Sequence, residues 1–218
     1  MSDFDALIDT LRPARKTKWR SLRSLYSLML AAMTVIVAGV GLMVLDALAL
    51  PIRNDYLAMI KTPTVAAKQL VPLILLLLAG PLTMLLMRPE AEVGRWIYAV
   101  ALVLAVFPAL AMLTLSSLPS GAWLTTIKGQ SLMQCLVTVP SLSAALLAGQ
   151  LITMRRGAVT QPVAAGMLAG LTAGAIAAII YAMICADDSP GFYGVWYAVG
   201  IMIPGVIGAI LGRFTLRW

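Results

Sequence analysis

Six apolar runs dominate the chain, at residues 26–50, 66–87, 94–116, 130–154, 161–185 and 192–214. Each is 22 to 25 residues long. At 1.5 Å per residue, about 20 helical residues cross a hydrocarbon core about 30 Å thick. A helix that is apolar all round has no place at a water-facing surface, and in hydrocarbon it satisfies its backbone amides internally. The expected fold class is therefore an all-α integral membrane protein with six transmembrane helices. Composition agrees: 61% of residues are hydrophobic and 11% are charged, against about 25% charged in soluble domains. The loops are short, so neighbouring helices are expected to pack antiparallel, with no second folded domain. The chain divides into a cytoplasmic N-terminal segment, 1–25, and a six-helix domain, 26–218. Ala47 and Ala49 imitate a leader-cleavage pattern, but the run they end exceeds the 7–15 residues of a leader's apolar core, so it reads as a span.

Lysine and arginine set the orientation. Twelve of the 16 lie on one side: six between Arg12 and Arg23, then Arg88, Arg95, Arg155, Arg156, Arg213 and Arg217. The other side has Arg53, Lys61, Lys68 and Lys128. Basic loops stay in the cytoplasm, which places both termini of this multi-pass chain there.

Enzyme chemistry finds little footing. The chain has no histidine, no glycine-rich phosphate loop and no nucleophile elbow, so neither an enzyme nor a cofactor is expected. Asp46 and Lys68 lie near the outer ends of the first two spans, where side chains reach the interface. Gln134 and Gln150 lie in the fourth span and can hydrogen-bond to neighbours. Asp187 and Asp188 read as a solvated loop. Gly166, Gly170 and Gly174 form a stripe along the fifth span, and Gly205, Gly208 and Gly212 flatten the sixth. Such stripes serve close packing within a bundle or a homodimer through Gly166, Gly170 and Gly174.

Two cysteines stand out. Cys135 lies 20 residues before Arg155, and Cys185 lies 24 after Gln161. Helical rise puts both at the extracytoplasmic end, within about 6 Å of the same height. They suit a switchable pair, two buried apolar side chains, or two thiolates for a soft metal with Asp187 or Asp188 nearby.

The N-terminal stretch "DFDALIDTLRPAR" places Phe4, Leu7, Ile8 and Leu11 at i, i+3, i+4 and i+7. Aspartates lie between them and Pro13 ends the pattern. Alone, so short a helix is marginal. Interfacial helices usually carry basic polar faces, so the acidic face argues against lipid and for a groove on a basic protein. The basic run that follows suits anionic headgroups of the bilayer.

The order of these features resembles the negative regulator of sigma F (NrsF) family, six-span bacterial anti-sigma factors. The matching pieces are "LRPARK", "GQSLMQCLVTVPSLS", "RRGAVTQPVAAGMLAGLTAGAIAAIIYAMICADDSPGFYGVWYAVGI" and "LGRFTLRW". The segment "TKWRSLRSL" departs from the family, where a more proline-rich stretch is expected. The resemblance implies that Phe4, Leu7, Ile8, Leu11, Arg12 and Pro13 sequester an extracytoplasmic-function sigma factor, without direct contact to nucleic acid. It also implies that Cys135 and Cys185 take part in sensing an envelope signal. Two rival readings stand beside it. A small transporter or ion pathway requires a polar midplane lined by Gln134, Gln150 or similar residues. A membrane thiol enzyme requires a close C-x-x-C pair, whereas these cysteines are 50 positions apart.

Overall fold

Prolines set where three of the long helices begin. Pro63, Pro162 and Pro190 each sit in the first turn, where the missing N–H leaves nothing unsatisfied. The computed structural model describes residues 53–89 and 93–217, so the segment 1–25 and the first apolar run, 26–50, lie outside the described residues. The helices are α1 (Tyr56–Met59), α2 (Pro63–Leu85), α3 (Trp96–Ser116), α4 (Trp123–Lys128), α5 (Leu132–Met154), α6 (Pro162–Ala182) and α7 (Pro190–Thr215). A 3-10 turn, Ser120–Ala122, precedes α4. No strand occurs among the described residues.

The five helices α2, α3, α5, α6 and α7 are long and apolar enough to cross a membrane. They coincide with the second to sixth apolar runs, and α3 and α5 end at the expected residues, Ser116 and Met154. Pro72, Pro81, Pro108, Pro140 and Pro204 lie inside these helices without dividing them. The fifth run departs from expectation. It leaves the helix after Ala182, three residues early, and its last residues form the extended turn that leads to Pro190.

Helix α6 is the centre of the bundle, with 78% of its apolar window buried against 17% for α3. Its alanines and glycines let α2, α5 and α7 close around it. Helix α3 packs on α7 and α2 and turns Tyr98, Leu102, Met112 and Leu113 outward. An outer face this apolar suits hydrocarbon.

The glycine stripe shows why α6 and α7 fit. A Cβ on Gly166 would land on the Gly208 carbonyl and lie 2.9 Å from the Gly212 Cα. One on Gly170 would meet the Pro204 carbonyl and lie 2.8 Å from the Gly205 Cα. One on Gly174 would lie 2.9 Å from the Ile201 Cα. The two small-residue faces seen in the sequence are thus each other's partner. Of the two readings of the stripe, close packing within the bundle accounts for Gly166, Gly170 and Gly174, which face α7 of the same chain. Between α2 and α6, the Thr83 and Thr172 hydroxyls lie 3.3 Å apart, and one donates to the other while the second donates to a carbonyl of its own helix.

Candidate functional site

The first polar cluster in this apolar bundle grows from Lys68. It lies in the second turn of α2 and its side chain is fully buried. A buried ammonium costs several kcal/mol unless it is paired and hydrogen-bonded. Nζ donates to the Cys185 carbonyl at 2.7 Å, the Asp187 carbonyl at 3.0 Å and Asp188 Oδ1 at 3.3 Å. The Tyr197 ring centroid lies 5.9 Å away. These carbonyls are free to accept because the chain has left α6 by this point.

Asp188 has a second cation. Its Oδ2 lies 2.6 Å from Arg53 Nη1, while Arg53 Nε lies 2.5 Å from Asp55 Oδ1. Arg53 also donates its backbone N–H to the Met183 carbonyl at 3.3 Å. Hydrogen bonds from Asp55 and then Asp188 hold the guanidinium above the usual arginine range. The Arg53 hydrogen bond holds the Asp55 carboxyl below the usual carboxylate range. That depression favours folding above the ordinary Asp range and the contribution fades as pH falls, but exposure of Asp55 keeps it small.

Asp187 ties the same turn to α5. Its Oδ2 accepts from the backbone amides of Gln130 at 3.1 Å and Ser131 at 2.7 Å, just before the helix starts. The Ser131 carbonyl in turn accepts the Cys135 amide at 2.9 Å and the Tyr181 hydroxyl at 3.4 Å. The two acids are therefore bonded into the bundle, which corrects their reading as a solvated loop. Lys68 is likewise interior and does not reach out to the interface.

The two thiols lie inside this network. Cys135 and Cys185 are both free and both buried, at 0% and 1% exposure. The Cys185 thiol lies 3.8 Å from the Asp187 carbonyl, the same oxygen that accepts from Lys68. Tyr181 joins Tyr193 and Phe107 around Tyr197, with ring centroids 6.0 to 6.5 Å from it. Helix counting put the thiols at one height; in the structure the Cys135 amide shares the Ser131 carbonyl with the hydroxyl of Tyr181, four residues before Cys185. No group of three metal-ligating side chains forms among the described residues, and the Asp187 carboxylate faces backbone amides.

Tyr193 gives this cluster a stability test. Its hydroxyl is buried and has no hydrogen-bond partner among the described residues. An unsatisfied buried polar group costs about 1–3 kcal/mol. Tyr193→Phe is expected to raise the thermal unfolding midpoint; a lower midpoint would show that the hydroxyl has a partner in the folded protein.

Among the described residues, the other polar side chains do not assemble a pathway. Gln134 is exposed on α5, and Gln150 is buried near the far end of that helix with Oε1 unpartnered. A cavity of about 110 Å³ between α5 and α7 is apolar, lined by Pro140, Ala144, Leu147, Pro204 and Ile207 among others. This is not the polar midplane that a transporter requires. Phe4, Leu7, Ile8, Leu11, Arg12 and Pro13 lie outside the described residues.

Comparison with known proteins bears on the whole bundle. A family model described as negative regulator of sigma F matches residues 14–218. A probable anti-sigma-F factor NrsF of Azospira oryzae is 31% identical over 90 residues, covering 41% of this chain and 42% of that protein. The anti-sigma-F factor NrsF of Caulobacter vibrioides is 31% identical over 97 residues, covering 44% of this chain and 45% of that protein. The chain thus matches less than half the length of either relative. No solved structure matches.

Proposed function

Because the chain belongs to the family of negative regulators of sigma F, we propose that it is a membrane anti-sigma factor. It holds an extracytoplasmic-function sigma factor at the inner membrane, away from RNA polymerase, and releases it on an envelope signal. The observation that carries this reading is the family match, which spans nearly the whole chain from Ala14 onward. It does not reach back to Phe4, Leu7, Ile8, Leu11, Arg12 and Pro13, so the binding role of those residues rests on their helical stripe and acidic flanks.

In this reading both termini are cytoplasmic, as the lysine and arginine distribution requires. The Lys68, Cys135 and Cys185 cluster then lies at the extracytoplasmic end, where an envelope signal arrives. Sequestration is binding and needs no catalytic group.

The test is capture of the purified sigma factor by the full chain in detergent or nanodiscs. Wild type is expected to retain it. Phe4→Asp with Leu7→Asp removes two apolar anchors worth about 1.5–3 kcal/mol each. Affinity is then expected to fall by more than about a hundredfold. Undiminished capture by the double variant removes the N-terminal helix from the interface. Failure of the wild type to capture a sigma factor encoded beside it in the genome overturns the anti-sigma reading itself.

A further inference from the structure

Both thiols are buried in a protein proposed to sense through them, and the contacts that hold the turn at Cys185 are specific. We propose that Lys68 and Asp187 are positioning residues for the cysteine pair: Lys68 pins the Cys185 turn shut, and Asp187 pins the start of the helix that carries Cys135. This inference rests on the sensing role in the proposed function and names the residues that control access to the thiols.

The geometry divides the work between the two side chains. All three acceptors of the Lys68 ammonium lie on the turn after α6: the Cys185 carbonyl at 2.7 Å, the Asp187 carbonyl at 3.0 Å and Asp188 Oδ1 at 3.3 Å. One of them, the Asp187 carbonyl, also faces the Cys185 thiol at 3.8 Å. Lys68 therefore holds both ends of the segment from Cys185 to Asp187. Asp188 adds a tie to Arg53 at 2.6 Å. The Asp187 carboxylate acts elsewhere, on the amides of Gln130 and Ser131. Those amides precede α5, and the Ser131 carbonyl accepts the Cys135 amide at 2.9 Å. One turn thus closes over Cys185 through a lysine and closes down the start of α5 through an aspartate.

A buried ammonium suits this role. Its charge has three acceptors while the turn is closed, and it loses them together when the turn lifts. Neutral packing would loosen gradually, whereas these contacts favour a closed turn and oppose partial opening. A signal that reaches Cys185 must overcome them.

The experiment measures labelling of the full chain in nanodiscs by a water-soluble maleimide. Cys135→Ser leaves Cys185 as the reporter, and Cys185→Ser leaves Cys135. Lys68→Met is expected to speed labelling of Cys185 by at least about tenfold, with a change at Cys135 of less than about threefold. Asp187→Ala is expected to show the opposite preference, since the carbonyls that hold Lys68 remain. Lys68→Arg keeps the charge and is expected to restore slow labelling of Cys185. General loosening would raise both thiols alike in every variant, and that pattern overturns the assignment, as do unchanged rates. If Lys68→Met does not yield a folded protein, Asp188→Ala removes one of the three acceptors; faster labelling of Cys185 supports the clamp and a wild-type rate overturns it. Sigma factor capture is not part of this readout. A failed clamp leaves the anti-sigma reading standing, and a chain that captures no sigma factor leaves the labelling result standing.

Discussion

Leucine in place of Gly170 is expected to destabilise the bundle by about 3 kcal/mol or more, at the upper end of what overpacking costs. The reason is the nature of the neighbours. A Cβ there meets backbone, the Pro204 carbonyl and the Gly205 Cα at 2.8 Å, and backbone cannot step aside as a side chain can. Helices α6 and α7 would have to separate along the whole stripe, and the buried contacts around Tyr181 and Tyr197 would open with them. Gly80 supplies the control. It lies in α2, and a Cβ added to it comes no nearer than 4.0 Å to its closest neighbour, the Leu76 side chain. Gly80→Leu gains helix propensity and its Cβ meets no backbone of another described helix, so it is expected to be neutral or mildly stabilising. Thermal unfolding of both variants in the same detergent gives the answer. Equal midpoints would falsify the account of the α6–α7 interface.

The glycine stripe also shows what the sequence discloses and what it withholds. Spacing of four announces a face that something must approach closely, but it does not say what. The complement was present in the same chain, as Gly205, Gly208 and Gly212, and only the fold joins the two stripes. The long helices were legible for a simple reason: twenty apolar residues in a row have one stable arrangement in hydrocarbon. The short helices α1 and α4 were not, because pieces of four and six residues follow their surroundings more than their own propensity.

Lys68 is the instructive miss. Taken alone, a lysine near the end of a span reads as one that reaches for water. The same helix counting that brought Cys135 and Cys185 to one height also brings Lys68 there, one residue short of two turns into α2 from Pro63. Asp187 and Asp188 follow Cys185 directly. An acid pair beside the thiols and a lysine at their level were therefore readable as potential partners. What could not be read was the early end of α6 at Ala182, which frees the Cys185 and Asp187 carbonyls to face inward.

Replacing both cysteines with serine is expected to leave sigma factor capture intact and to abolish release. An effective switch couples two sites by about 1–3 kcal/mol, which is about 5–150-fold in affinity. In cells, sigma-dependent transcription under an oxidant or a soft-metal challenge is thus expected to fall from a response in that range to about one for the variant. The chemistry balances in either case. Oxidation joins the two sulfurs, releases two protons and passes two electrons to the oxidant; a soft metal displaces the two thiol protons and bridges the thiolates. Each outcome replaces two neutral buried groups with a linked pair, and each demands that the sulfurs move within a packed site whose turn is held by Lys68. Helix α5 carries Cys135 and α6 leads into Cys185, and α6 packs on α2, α5 and α7, the contacts through which a shift at the thiols would pass. The serine variant keeps the size of the side chains and loses both reactions. A normal response in that variant sinks the sensing role, while loss of capture even without the challenge would mean that the cysteines support the fold and not the switch. Comparing Lys68→Met in the same assay separates access from chemistry: with its thiols intact and its turn released, that variant is expected to respond at lower oxidant or metal concentrations than the wild type.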